Sequence, residues 1–323
     1  MRILFSIAYG PTFEPPAGVV DGHAVAVDRR ACDWGLRGAR KQLRQLREAF
    51  RILRAARSFD VLVLCTVGVE AFIIANFKRW FGAGHLRLIV FDILIPKESW
   101  QARLVGPWLA GADALAVIRR GDAATLNRRF GYPMEKCAFV PFPAPVFPDT
   151  VPCPEADYIY SAGFAHRDWP TLLQALSHLP YRAVICPGCP VDIPAEAQHR
   201  IEVRPMPPPE QGRQWMASAR LVVLPFLDTE LPSGPLILLD AMAMGKPVVA
   251  TNVNGTRGYA EDGVDCLLVA PGAVGDLTQR IREAMEDEDL RRKLAAGAKA
   301  KAASLSLQQT LRALLSLCEG KSG

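Results

Sequence analysis

Residues 232–247, PSGPLILLDAMAMGKP, carry the residue types best suited to chemistry in this chain. Ser233, Gly234 and Pro235 form a small-residue turn. It feeds an apolar helix that holds one acid, Asp240, and ends at Gly245-Lys246-Pro247. The first N–H groups of a helix have no partner within it and sit at the positive end of the macrodipole, so such a turn is a seat for phosphate. An acid about a turn and a half further in reaches toward the hydroxyls of a sugar or ribose. No cluster of His and Cys has metal-ligand spacing, so no metal is expected at the site.

The elements that must position this stretch alternate along the chain. The first half reads as strand 3–8, helix 36–57, strand 60–66, helix 69–81, strand 86–92, helix 97–109, strand 114–119, helix 122–129 and strand 138–142. Residues 141–154, PFPAPVFPDTVPCP, contain six prolines and read as an extended linker. The alternation then restarts with strand 158–163, helix 169–179, strand 182–186, strand 202–204, helix 210–219, strand 221–225, helix 236–244 and strands 248–251 and 266–269. A largely helical tail follows from 274 to 318. Continuous apolar strands separated by helices indicate parallel sheets covered on both faces. The expectation is an α/β chain of two doubly wound, Rossmann-like domains, 1–150 and 151–323, with the last helix free to pack back on the first domain. Ligands bind outside the carboxyl ends of such strands, so the expected site is a cleft between the two.

Composition narrows the class. The chain has 323 residues, half of them hydrophobic, and no uncharged apolar run long enough to span a bilayer. The start, MRILFSIAYG, reads as a first buried strand and not as a signal peptide. Eight scattered cysteines sit mostly in apolar runs, the habit of reduced thiols in a cytoplasmic protein. Cys186-Pro187-Gly188-Cys189 has the spacing of a redox pair but reads as a strand-end loop. Residues 1–150 hold 21 Lys/Arg against 13 Asp/Glu, and the remainder 17 against 20. This asymmetry points to an anionic surface or substrate met by the first half.

Three stretches of the second half resemble the donor-binding domain of GT-B glycosyltransferases, in particular the retaining group 1 (GT4-like) family. They are Ser161-Ala-Gly-Phe-Ala-His-Arg-Asp-Trp169, Ala219-Arg-Leu-Val-Val-Leu-Pro225, and Leu239-Asp-Ala-Met-Ala-Met-Gly-Lys-Pro-Val-Val-Ala-Thr251 with Asn254-Gly255, Glu261-Asp-Gly263 and Leu267-Leu-Val-Ala-Pro-Gly272 behind it. The resemblance spans about residues 158–275. It implies GT-B architecture and transfer of a sugar from a nucleotide-diphosphate donor to a sugar, lipid-linked or small-molecule hydroxyl acceptor, with retention, without a metal and without any cofactor besides the donor as co-substrate. It places Asp240 on the ribose, and Ser233, Gly234, Pro235, Leu236 and Arg167 on the diphosphate, although proline has no N–H to donate. The loop of Cys186, Pro187 and Gly188 falls beside the base. The family's second glutamate, next to the reacting sugar, corresponds to Pro232. Glu230, two residues earlier, is the candidate to replace it, and Glu230 with Arg167 make the catalytic pair. Gly10, Asp92, His166 and Lys246 are further candidates for the cleft.

The helix expected at 36–57 carries Arg37, Arg40, Lys41, Arg44, Arg47, Arg51, Arg54 and Arg57 against one acid, Glu48. It reads either as a solvated face or as a docking element for an anionic membrane, which would place the protein on the inner face of the membrane. Nucleic acid is not expected, since no aromatic-rich strand accompanies the charges. Two further readings stay open beside the transferase: a nucleotide-sugar-binding or partner subunit without turnover, and a nucleotide-sugar epimerase.

Overall fold

The computed structural model describes residues 1–7, 13–30, 38–65, 69–81, 85–93, 109–147, 155–230 and 235–320. It divides into two compact units, Met1–Phe142 with Leu307–Gly323, and Pro143–Ser306. The first contains β1 (Arg2–Ile7), β2 (Gly18–Val20), β3 (His23–Arg29), α1 (Gly38–Ala56), β4 (Val61–Cys65), α2 (Val69–Phe81), β5 (Arg87–Phe91), β6 (Ala114–Val117), α3 (Asp122–Phe130) and β7 (Cys137–Phe139). The second contains β8 (Ala156–Gly163), α4 (Trp169–Ser177), β9 (Ala183–Pro187), β10 (Ile201–Val203), α5 (Pro209–Ser218), β11 (Ala219–Leu224), α6 (Leu236–Ala243), β12 (Val248–Thr251), β13 (Leu267–Val269), α7 (Val274–Glu286) and α8 (Glu288–Ser304). The last helix, α9 (Leu307–Cys318), belongs to the first unit, where Thr310 Oγ1 donates to the Pro141 carbonyl and Arg87 Nε to the Leu317 carbonyl.

In the first unit the strand order is β2-β3-β1-β4-β5-β6-β7, parallel throughout except for the antiparallel β2–β3 pair. The strands read as expected for a sheet covered on both faces: all five residues of β4, VLVLC, are buried. α1 turns Gln45, Ala49, Ile52 and Ala56 inward, spaced four, three and four apart, onto Leu62, Leu64 and Ile74. The β2–β3 hairpin, turning at Asp21-Gly22, is an element absent from the sequence reading. The expected helix 97–109 falls almost wholly on residues outside those described, and so do residues 148–154 of the linker. Residues 141–147 have no regular structure.

In the second unit the order is β10-β9-β8-β11-β12-β13, all parallel. The chain winds outward from β8 through β9 to β10, then returns to the middle and winds the other way from β11. The switch point lies between the carboxyl ends of β8 and β11, where open α/β sheets bind ligands. Leu172 and Leu176 of α4, Ile185, Leu221, Val223, Val249, Ile281 and Leu294 fill its core. Each such buried side chain contributes about 1.5–3 kcal/mol relative to exposure. α6 is enclosed: Leu238, Leu239, Ala241 and Met242 are all buried. It ends in a Schellman-type cap, with Gly245 at φ 65°, its N–H on the Met242 carbonyl and the Lys246 N–H on the Ala241 carbonyl. The tail forms three helices, broken at Asp287, whose carboxylate caps α8 through the Leu290 N–H, and again at Leu305-Ser306.

Candidate functional site

The turn after β8 and the segment after β11 meet at the switch point of the second unit. Their backbones are stitched together: the Asp168 N–H donates to the Pro225 carbonyl at 3.0 Å, and the Leu227 N–H to the His166 carbonyl at 2.9 Å. His166 adopts φ 51°, which bends the turn so that Arg167 lies back over the strand ends. Asp168 follows Arg167 directly and is near enough along the chain to pair with it. The structure instead uses Asp168 to cap α4, accepting from the Thr171 N–H and hydroxyl.

Arg167 is held by neutral groups. Its Nε donates to the Ala162 carbonyl at 3.2 Å and Nη1 to the Ala165 carbonyl at 2.8 Å. The guanidinium stacks on the buried Phe226 ring, 4.4 Å from its centroid. Phe226 is fixed by its own N–H on Thr251 Oγ1 at 3.0 Å. Beneath the guanidinium lies Gly163, at φ 142°, where any Cβ would stand 2.5 Å from Nε. No carboxylate pairs with Arg167 among the described residues, and desolvation lowers its pKa to about 10. A cation with its charge partly stripped of water and no counter-ion is poised for an anion.

The second phosphate-directed feature is the start of α6. Pro235 is the N-cap residue, buried, with φ −73° and ψ 1°, and among the described residues no side chain caps the helix. Its carbonyl receives the Leu239 N–H, so the amides of Leu236, Ile237 and Leu238 are not consumed within the helix. Pro235 itself donates nothing; it serves this turn only by setting the helix entry. Ser233 and Gly234, expected to donate here, lie outside the described residues, as do Pro232 on this segment and Gly10 after β1. Glu230 is exposed on the approach to the turn. Asp240, in the second turn of α6, is half-buried. Desolvation pushes its carboxyl up to about 6, against the opposing field of Arg213 on α5.

Two expected members are placed elsewhere. Lys246 stands at the amino end of β12, the opposite end of the sheet. There Nζ donates to the Ala217 carbonyl at 3.0 Å, at the end of α5. It lines a cavity of about 470 Å³ with Arg220 and Arg291, among others, and acts as a helix C-terminal cation. Cys186 is a strand residue, not a loop residue. Its thiol is fully buried beside the Tyr160 hydroxyl, and burial raises its pKa. What β9 offers at its end is backbone: Gly188 follows Pro187, and the ring of Phe164 lies against its α-carbon, so that a Cβ there would fall 2.1 Å from Phe164 Cδ1.

Phe226 and Arg213 lie in no motif, and Phe164, although inside the stretch 161–169, was not singled out by sequence reasoning. The exposure of Phe164, 68%, is unusual for an aromatic and marks the edge of the site. In the first unit, Asp92 follows β5 at φ 59°, 4% exposed, with its N–H on the Ala116 carbonyl. Arg30, which unlike Asp92 was not among the sequence candidates, follows β3 and donates from Nη2 to the Cys65 carbonyl at 2.7 Å. Both charges act on the Cys65 thiol, Arg30 lowering its pKa and Asp92 raising it, while burial dominates and drives it up. A cation and an acid thus share the carboxyl edge of the first sheet.

The chain is similar in part to known glycosyltransferases. Residues 162–287 match the family model Glycosyl transferases group 1. The D-inositol 3-phosphate glycosyltransferase of Frankia alni is 35% identical over 118 residues, covering 36% of this chain and 28% of the relative. The protein of the same name from Xylanimonas cellulosilytica is 28% identical over 252 residues, covering 67% and 59%. The chain thus spans less than two thirds of the length of these relatives. HepE of Anabaena, in complex with UDP and glucose, superposes with a TM-score of 0.69 at 16% identity, covering 99% of this chain and 100% of that one. The fold is that of the GT-B glycosyltransferases.

Proposed function

We propose that this chain, whose residues 162–287 form a glycosyl transferases group 1 segment on a GT-B fold, moves a sugar from a nucleoside-diphosphate donor to a hydroxyl acceptor. The observation that carries the reading is Arg167, a desolvated guanidinium without a carboxylate partner among the described residues, at the switch point of the donor-side sheet. Transfer breaks the bond from the sugar's anomeric carbon to the diphosphate and forms one to the acceptor oxygen. The acceptor's proton balances the charge gained by the diphosphate. Arg167 and the first amides of α6 stabilise that growing charge, so the proposed reaction is metal-independent and uses the donor as its only co-substrate. Asp240 accepts from the ribose hydroxyls, Pro187 and Gly188 lie along the base, His166 and Glu230 stand on the sugar side, and retention is proposed by analogy with the family.

On the acceptor side, Arg30 and Asp92 suit a hydroxyl compound that carries an anionic group; the relatives named above act on a phosphorylated inositol. The excess of arginine on α1 supports a place at an anionic surface, and we assign the protein to the cytoplasm at the inner face of the membrane. Among the described residues no helix is long and apolar enough to cross a membrane.

Calorimetry with a panel of nucleoside diphosphates, followed by donor hydrolysis and transfer assays, tests the reading. Binding that falls roughly 10–100-fold in Arg167→Ala supports it. Unchanged affinity in that variant removes Arg167 from the site. Pro232, standing where an acid is expected, favours a second reading in which the chain binds donor without turnover. Tight binding with neither hydrolysis nor transfer would select it, and a changed sugar on the nucleotide would select an epimerase.

A further inference from the structure

We infer that the outward face of α1 docks on an anionic lipid surface and inserts Leu43, Leu46 and Phe50 into it. The inference rests on the assignment of α1 to an anionic membrane surface and adds which side chains enter it. Among the described residues α1 packs inward through Gln45, Ala49, Ile52 and Ala56, with Leu53 beside them. At about 100° per residue Leu43, Phe50 and Leu46 lie about 150°, 130° and 90° round the helix from those residues, on the flank beside the outermost Arg40, Arg47 and Arg54. The three are 51%, 51% and 40% exposed respectively. Single exposed apolar residues are ordinary, but three large ones on one face of one helix form a ridge. Phe50 extends the ridge sideways, meeting Phe77 of α2 edge-on at 6.2 Å.

The charges around the ridge have one sign. Arg40, Arg47 and Arg54, with Arg57 just past the helix end, are exposed and form no ion pair among the described residues. The helix's one acid, Glu48, is engaged by Arg51, which also grips Asp28 through Nη1 at 2.7 Å. A face made for water alone gains nothing from Leu43, Leu46 and Phe50. Aliphatic arginine stems can lie along a lipid surface while their heads meet phosphates, and the ridge beside them reaches the acyl boundary. Duplex nucleic acid would match the charge but not the ridge.

The test is co-sedimentation of the full chain with vesicles of equimolar phosphatidylglycerol and phosphatidylcholine, against phosphatidylcholine alone, at low and high salt. Pelleting is expected with the anionic vesicles and is expected to weaken with salt. Arg40→Gln/Arg47→Gln/Arg54→Gln lowers the affinity on the order of 100-fold. Leu43→Ser/Leu46→Ser lowers it about tenfold with every arginine in place, a loss that charge adsorption alone does not produce. Leu43→Trp, whose site is half open, adds blue-shifted emission over the wild type when anionic vesicles are present. Thermal melts of each variant separate lost docking from lost folding. No pelleting at low salt, a folded Leu43→Ser/Leu46→Ser variant that pellets like the wild type, or tighter binding of duplex RNA than of vesicles overturns the inference. Nucleoside-diphosphate calorimetry on the same samples keeps the two readings apart. Intact nucleotide binding without pelleting sinks only the docking face, and pelleting without nucleotide binding sinks only the transferase.

Discussion

At the scale of single residues, the donor-side sheet holds two charges that burial makes unstable. Arg167 loses hydration and gains, among the described residues, carbonyls and a ring, and Asp240 loses hydration in a helix that is otherwise apolar. Such groups are retained at a cost, which argues for a ligand that repays it. For Asp240 the sign of the pH effect follows directly. Its carboxyl titrates near 6 in the folded chain and at an ordinary 3.8 when unfolded. Its contribution to stability is therefore complete below about pH 4, falls as pH rises through about 6, and stays lost above. Asp240→Asn removes that dependence and should raise the melting temperature at pH 8. The same change should weaken nucleoside-diphosphate binding at pH 8, because an ionised acceptor for the ribose is gone. Diphosphate protonation near pH 6 affects both proteins alike, so the wild-type to Asp240→Asn affinity ratio is the quantity to follow. That ratio should shrink below pH 6; a ratio flat from pH 5 to 8 would take Asp240 out of contact with the nucleotide.

At the scale of elements, turns built from small residues place the larger ones. Gly188 closes β9 with its α-carbon under the Phe164 ring, and a methyl group added there would fall 2.1 Å from Phe164 Cδ1 and 2.9 Å from the Phe164 backbone. Gly188→Ala should therefore cost about 1–3 kcal/mol. Adding Phe164→Ala should recover part of that, since the ring leaves while the backbone of residue 164 stays close. Additive losses in thermal melts of the two single variants and the double would show that the ring does not occupy this seat. These elements differ in how far they could be read from the chain. The run VLVLC needs no context to be a buried strand, and Asp240 and Arg167 were found by their place in motifs. The β2–β3 hairpin was missed although Asp21-Gly22 between alternating apolar residues is a strong hairpin signal. Phe226 under Arg167 was not legible at all, because the pair is joined only when β8 and β11 become neighbours. Lys246 misled for a related reason. A lysine after glycine at a helix end serves phosphate or a Schellman-type cap equally well in sequence, and only the end of the sheet it occupies decides between them.

At the scale of the whole molecule, each unit buries its own core, and the chain's last helix contributes to the first. Leu314 of α9 is fully buried in that unit, whereas Ile281 of α7 is fully buried in the second. The proposed nucleotide contacts all lie on the second. Scanning calorimetry should accordingly resolve two transitions that respond to different perturbations. A nucleoside diphosphate at a hundred times its Kd stabilises the unit that binds it by about 2.7 kcal/mol. For a unit of this size that is a rise of roughly 5–10 °C in one transition. Leu314→Ala should cost about 2–5 kcal/mol and lower the other transition, leaving the ligand-induced rise intact. Ile281→Ala should lower the ligand-responsive transition instead. If ligand and Leu314→Ala move the same transition, stability is shared across the chain and nucleotide affinity becomes sensitive to α9. If they move different ones, the donor side holds its nucleotide as a self-sufficient sheet, and the acceptor side with α1 can be altered without disturbing it.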